Sequence, residues 1–308
     1  MKKILSIMAS MAVSICLVYA DGGKDALPFV RIDRNAATLG MGGAGSASTS
    51  SIAWSSFSNS AVIPFFAGKG DIGASYQAWA PKTSKTSNIN IGGAYKISEK
   101  FGLSVGGAFQ SGQSYDVFDS SGSPSGTFTP SEMMFNIGAG FKFSDNLSAG
   151  LNARYASQKI ASSTTLSGFG VDAHLLYHAG NANISAGLNN VGPKVSSSKG
   201  DSYSPATSAN LAGTYNFAIN PKNAVMGALD LDYFFSGCLT AALGAEYAYD
   251  NMVFVRAGFH YGAEEAIIPT FVSLGAGFKY EGFKIDLSFL TANENIGSTI
   301  AIGVGYCF

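Results

Sequence analysis

Charge is scarce in this sequence of 308 residues: Asp, Glu, Lys and Arg together make up 13%, about half the share of an ordinary soluble domain. The charges present nearly cancel, leaving a net of -1 and no electrostatic case for a nucleic-acid partner. Cysteine is rare, at three. Cys16 lies in an apolar N-terminal run, and the scattered Cys238 and Cys307 make no disulfide framework. Long apolar runs are missing too. After the first 20 residues none approaches the roughly 20 that a membrane helix needs. Glycine, by contrast, is abundant at 38, and aromatic residues reach 12%.

The N-terminus reads as a secretory signal peptide, residues 1–20. Lys2 and Lys3 precede the apolar run Ile4 to Val18, and Val18-Tyr19-Ala20 supplies small residues for cleavage before Asp21. The run is short for a spanning helix and is followed by Asp21, Gly22 and Gly23. Ile15 is too large to precede a lipidated Cys16. An exported chain with little charge and no spanning helix reaches a membrane by one route, a closed β-barrel. A secreted β-sandwich is the alternative, but it would not need so many strands with one apolar face.

Period-2 alternation recurs at the length of outer-membrane strands. It predicts about fourteen: 70–80, 87–97, 101–111, 130–143, 146–158, 165–178, 182–191, 206–218, 222–235, 238–249, 251–261, 270–280, 282–290 and 297–308. Met133, Phe135, Ile137, Ala139, Phe141 and Phe143 share one face, opposite Asn136, Gly138, Gly140 and Lys142. Connections alternate as well. Ser98-Glu99-Lys100, Ser144-Asp145-Asn146, Ala179-Gly180-Asn181, Asn220-Pro221, Asp250-Asn251 and Glu281-Gly282 are tight, whereas Gly112 to Thr129, Gly192 to Pro205 and Gly262 to Pro269 are long. Ser236-Gly237 is the exception, short on the long-loop side. Short turns at one end and longer loops at the other is the pattern of an outer-membrane barrel, with both chain ends on the periplasmic side.

Lipid should face the apolar side, so the polar side faces the lumen. The inward set then holds Lys96, Lys142, Arg154, Asp172, His174, His178, Asp230, Asp232, Glu246, Arg256, His260, Lys279, Lys284 and Asp286. Of these, Asp230, Asp232, Glu246, Arg256, Asp172 and Asp286 form the candidate lumen charge network. Glu246 and Arg256 lie four residues before and five after the Asp250-Asn251 turn, which makes them cross-strand neighbours. Two readings of these charges stand side by side: a brace that stiffens the wall and grips what fills it, and a polar constriction that selects what passes.

Residues 21–66 do not alternate and are expected to form a plug of short helices and turns inside a barrel of residues 67–308. Gly40, Gly42, Gly43 and Gly45 satisfy G-x-G-x-x-G, but no strand precedes them and no βαβ unit follows, so no dinucleotide cofactor is expected. Close backbone contact with the wall is the better use for such glycines. His174 and His178 form H-x-x-x-H without the Glu of zinc proteases. On a strand they stand about 13 Å apart, too far to share a metal. No catalytic, metal or cofactor residue is nominated, and no enzymatic activity is expected.

Two resemblances sharpen this. The final strand Ser298 to Phe308, with Ile300, Ile302, Val304, Tyr306 and Phe308 alternating with small residues, resembles the C-terminal strand of bacterial outer-membrane proteins. Leu27-Pro28-Phe29-Val30-Arg31-Ile32 and Leu39-Gly40-Met41-Gly42-Gly43-Ala44-Gly45 resemble the N-terminal segment of the PorV/PorQ family, barrels related to the FadL fatty-acid transporters. Gly168 to Asp172, Gly187 to Gly192, Gly244 to Tyr247 and Val255 to Gly258 fit the same family. Asn59-Ser60-Ala61 stands where that superfamily carries Asn-Pro-Ala, and the external loops are short for a secretion member.

The resemblance implies a fourteen-stranded, plugged, all-β transmembrane barrel in outer-membrane lipid. It implies two functions: protein export of the type IX kind, with secretion components or cargo C-terminal domains as partners, or FadL-like passive uptake of a small hydrophobic compound.

Overall fold

A computed structural model of the chain describes residues 25–79, 85–263, 266, 268–292 and 298–308; the expected signal peptide lies outside the described residues. Fourteen antiparallel strands form the wall. In chain order they are β1 Gly70–Trp79, β2 Thr86–Lys96, β3 Phe101–Ser111, β4 Ser131–Ser144, β5 Leu147–Ala161, β6 Thr164–Ala179, β7 Ala182–Val191, β8 Ser208–Asn220, β9 Asn223–Phe234, β10 Leu239–Tyr249, β11 Val253–Gly262, β12 Phe271–Tyr280, β13 Phe283–Ala292 and β14 Ser298–Cys307. Each pairs with its sequence neighbours, and β1 pairs with β14 from Asp71↔Cys307 to Ala78↔Ile300, which closes the barrel. Every one of the fourteen expected strands has its counterpart.

The alternation sorts side chains as the pattern requires. On β14, Thr299 and Ala301 are fully buried at 0%, while Ile300, Ile302 and Val304 are 46–53% exposed. The same outward band of large apolar side chains continues around the wall, for instance Phe135, Ile137, Leu151, Phe169, Leu243 and Phe283. A contiguous apolar girdle of this kind faces hydrocarbon, not water. Among the described residues no helix is long and apolar enough to cross a membrane; the strands do so.

One end carries the tight turns and the other the longer connections. On the long-loop side Tyr115–Phe118 and Pro124–Phe128 pair as a hairpin standing beyond the wall. The β5–β6 connection is tighter than the alternation suggests, at Ser162-Ser163, because both strands run past the expected ends as a paired ribbon.

The ladder is continuous except between β6 and β7. There the register jumps from Ala173↔Leu188 to Val171↔Val191, and Asn190 adopts a left-handed φ of 54°. The other slips lie beside hairpin turns. Beyond this bulge, β6 pairs with the loop segment Val195–Ser197, so part of the wall is completed by a connection.

The lumen is filled by the chain's own residues 25–66. Short turns of helix at Pro28–Arg31, Ala36–Leu39, Ser55–Phe57 and Ser60–Phe65 punctuate this segment. Asn35 and Asn59 start two of them, each side chain accepting from the N–H two residues on. The apolar core lies between segment and wall: Phe29 packs with Met134 and Val195, and Ile63 with Ala94 and Leu176.

Ala26 N donates to Ser204 O (2.9 Å) at the long-loop mouth, whereas Lys69 N donates to Phe308 O (2.6 Å) at the tight-turn mouth. The described chain therefore starts and ends at opposite mouths, because the segment traverses the lumen before β1 begins.

Candidate functional site

Two wall carboxylates hold the lumen segment by its backbone. Asp71, at the start of β1, is fully buried. Its Oδ2 accepts from Ser51 Oγ (2.6 Å), Ile52 N (2.9 Å) and Ala53 N (3.2 Å), and its Oδ1 from Lys284 Nζ (2.6 Å) on β13. Asp230, on β9, accepts from Gly45 N (2.5 Å), Ser46 N (3.2 Å) and the Ser46 hydroxyl. Each carboxylate thus takes two consecutive backbone N–H groups and a serine, an anion seated in a nest of donors.

The candidate charge network resolves into separate groups. Glu246 and Arg256 are direct register partners between β10 and β11. Arg256 Nε donates to Glu246 Oε2 and Nη1 to Asp286 Oδ1, both at 2.6 Å. Asp172 instead pairs with Arg154 Nη2 (2.9 Å), and its other oxygen accepts from the backbone N of Asn190 (2.7 Å) at the wall bulge. Asp232 faces Asn189, Ser208 and Asn210. Asp230 and Asp232, neighbours on one strand, serve different parts of the site.

Arg256 offers a direct measurement. Substituting Ala leaves Glu246 and Asp286 facing each other without a cation, a change expected to cost about 3–5 kcal/mol for a broken buried pair. The heat needed to denature the folded barrel, read as a gel-mobility shift, should fall clearly. Lys should restore only part, since one ammonium does not reproduce a guanidinium's fixed fork. Unchanged heat resistance with altered solute uptake would favour the constriction reading instead.

The plug glycines lie against β9 to β12. Gly42 N donates to Ser273 Oγ (2.8 Å), and its carbonyl accepts from His260 Nδ1 (3.1 Å). Its φ of +74° is open to glycine at no steric cost. Gly40 lies backbone to backbone on Gly275, where an added Cβ would meet Gly275 Cα at 3.0 Å. Gly43 turns beside His260, and Gly45 meets Asp230. Asn59 Nδ2 donates to Ser185 Oγ (2.9 Å). Ser60, where the superfamily carries Pro, uses its hydroxyl on Ser104 Oγ (2.9 Å) and Asn152 Oδ1 (2.5 Å).

Between this segment and the long-loop half of the wall lies a cavity of about 240 Å³. Arg34, Trp54, Phe57, Met134, Arg154 and Asn190 are among its walls. Burial pulls the Arg34 guanidinium down to about 10, with Glu132 opposing and Arg154 adding to the fall; it stays charged at neutral pH. Burial likewise raises the Asp33 carboxyl, against hydrogen bonds from Thr38 and Asn35. His174 borders the cavity, while His178 stacks on Phe65 (4.8 Å). No cluster of His, Cys, Asp and Glu suited to a metal occurs among the described residues.

The family profile described as Type IX secretion system protein PorV matches residues 23–238. This chain belongs to the PorV family. Solved structures similar to this PorV-family barrel include the Ralstonia pickettii toluene transporter TbuX, with TM-score 0.60 and 14% identity over 88% of this chain and 97% of that one. The Pseudomonas putida toluene transporter TodX follows at 0.59 and 14%, over 88% and 96%. A Pseudomonas aeruginosa FadL homologue gives 0.57 and 12%, over 88% and 98%. At such identity the likeness is one of fold: a FadL-like outer-membrane barrel. No curated protein sequence matches significantly.

Several residues of the PorV-family lumen carry no sequence signal. Asp71 is outside the inward set read from the alternation, and its partner Lys284, 213 positions away, meets it through barrel closure. Arg34 sits in a segment without period. Gln77, Asn88 and Asn90 are all fully buried, a polar ladder on β1 and β2 whose inward side reads simply as "small or polar". Gln77 Nε2 donates to Asp33 O (2.8 Å) and Ser75 Oγ to Arg34 O (2.6 Å), tying the segment to β1.

Proposed function

We propose that this PorV-family barrel is a non-enzymatic component of protein export across the outer membrane. The family match along residues 23–238 carries this reading. The filled lumen supports it: with residues 25–66 bonded to the wall through Asp71, Asp230 and Ser273, the barrel serves as a docking body and not as an open pore. The tight turns lie in the periplasm and the longer loops outside. The long-loop mouth, with its Tyr115–Phe128 hairpin, receives the C-terminal signal domain of an exported protein and passes it to a surface-attachment complex. Outer-membrane lipid surrounds the apolar girdle.

The experiment is capture from native membranes. Tagged barrel should retain exported proteins bearing C-terminal signal domains, or secretion components. A variant with residues 115–128 replaced by a short Gly-Ser turn should stay folded and lose most of that capture. Recovery of the barrel with neither, under conditions that preserve other membrane complexes, refutes the reading.

A second reading has an observation of its own. The cavity borders Asn190, where the β6–β7 ladder is interrupted, so a path through the wall for a small apolar compound has both a chamber and a weak point. Bound apolar compound in natively purified barrel would favour it.

A further inference from the structure

We propose that the cavity between the lumen segment and the long-loop half of the wall binds a compact organic anion, a carboxylate carried on a small apolar or aromatic body. Arg34 is 1% exposed. Its Nη2 donates to Phe29 O (2.6 Å), but Nε and Nη1 have no partner. Arg154 Nε and Arg31 Nε, on the same cavity, are also without one. Buried N–H groups left without acceptors cost free energy, and native structures rarely keep several together.

The carboxylates that line the cavity already take bonds from other donors, and Glu132, whose charge acts on Arg34 and whose Oε2 has no partner, is not part of the lining. Asp33 accepts from Thr38 Oγ1 (2.5 Å) and Asn35 N (3.0 Å). Asp230 is committed to Gly45 and Ser46, and Asp232 to three polar side chains of β7 and β8. His174 Nδ1 is without a partner, and His260 Nε2, across the ring from the Nδ1–H that donates to Gly42 O, is an unpartnered acceptor, as is Asn210 Oδ1. The spare atoms that carry charge on this lining are guanidinium nitrogens. Water satisfies N–H groups but brings no charge; a planar carboxylate does both and matches a guanidinium's geometry.

Size and lining set the rest of the ligand. About 240 Å³ falls below the roughly 300–1,000 Å³ of sites for drug-sized molecules, too little for a long acyl chain. Trp54, Phe57, Trp79, Met134 and Phe271 supply apolar surface. The proposal needs no protein cargo, so it stands or falls separately from the export reading.

Benzoate is the probe, with benzyl alcohol as its neutral counterpart of similar shape. Binding to the purified, folded, full-length barrel in detergent would be measured by calorimetry or ligand-observed NMR. Benzoate should bind at least about tenfold more tightly, as charge-assisted hydrogen bonds predict. Arg34→Gln should remove about that factor for benzoate and leave benzyl alcohol within about twofold. Met134→Trp, which fills the cavity, should weaken both.

Three results overturn the proposal: equal affinity for the two probes, no benzoate binding at about 10 mM, where even a weak site would register, or undiminished benzoate binding by folded Arg34→Gln. Should Arg34→Gln not fold, the wild-type comparison of the two probes decides alone.

Discussion

Asp71→Asn should lower the barrel's resistance to heat and open its lumen to small solutes. The carboxylate is fully buried and balances Lys284, while its other oxygen collects three donors from residues 51–53. Asn keeps the shape but removes the charge, leaving Lys284 without its carboxylate. Breaking a buried pair on one side costs about 3–5 kcal/mol, because the remaining charge is stranded. The denaturation temperature of the folded form on gels should fall markedly, and liposome swelling with small sugars should rise. Asp71→Asn combined with Lys284→Met removes both charges, and should recover much of the lost heat resistance without reseating residues 51–53. A double variant as weak as the single one would mean that the backbone donors, not the ion pair, carry the effect.

The second large effect comes from a residue without a side chain. Gly258 on β11 faces the lumen segment so closely that an added Cβ would fall on the backbone of Met41 and Gly42. Met41 also covers Gly244 on β10. The obstacle is backbone on both sides, fixed at Gly42 by Ser273 and His260, so no flexible side chain can swing away. Gly258→Val should therefore leave a barrel that still assembles, since Val suits a strand better than Gly, but with the segment displaced. Protease cleavage between residues 40 and 50, and permeation by small solutes, should both increase. Gly227→Val is the control: nothing lies within 4 Å of its added Cβ, and neither readout should change. Matching behaviour of the two variants would show that the segment is not seated by this contact.

How much of this was legible in the sequence depends on the distance over which each feature is decided. The Glu246–Arg256 pair could be read because a hairpin turn sets the register of the residues beside it, and the observed pairing is direct. Asp286, the third member, could be placed on the inward face but not at Arg256, since β12 runs between them. The guanidinium crosses because Gly277 leaves the space: a Cβ there would meet Asp286 Oδ1 at 2.6 Å and Arg256 Nη1 at 2.7 Å. Asp230 and Asp232 looked like one acidic feature; the backbone of Gly45 and Ser46 claims the first, and the polar side chains of β7 and β8 the second.

The sequence by itself determined the strands, their faces and their closure into an outer-membrane barrel. Those are properties of period-2 alternation and turn length, each settled within about a dozen residues. Tertiary structure alone decided what the lumen contains and how it is held. Residues 25–66 have no period to read, and their anchors come from wall positions such as Asp230 and Lys284, 185 and 233 residues from the atoms they bind. Contacts of that range exist only once β14 has closed on β1, which brings the two ends of the wall to the same segment. Closure likewise packs Arg34 against wall residues that leave two of its nitrogens without an acceptor.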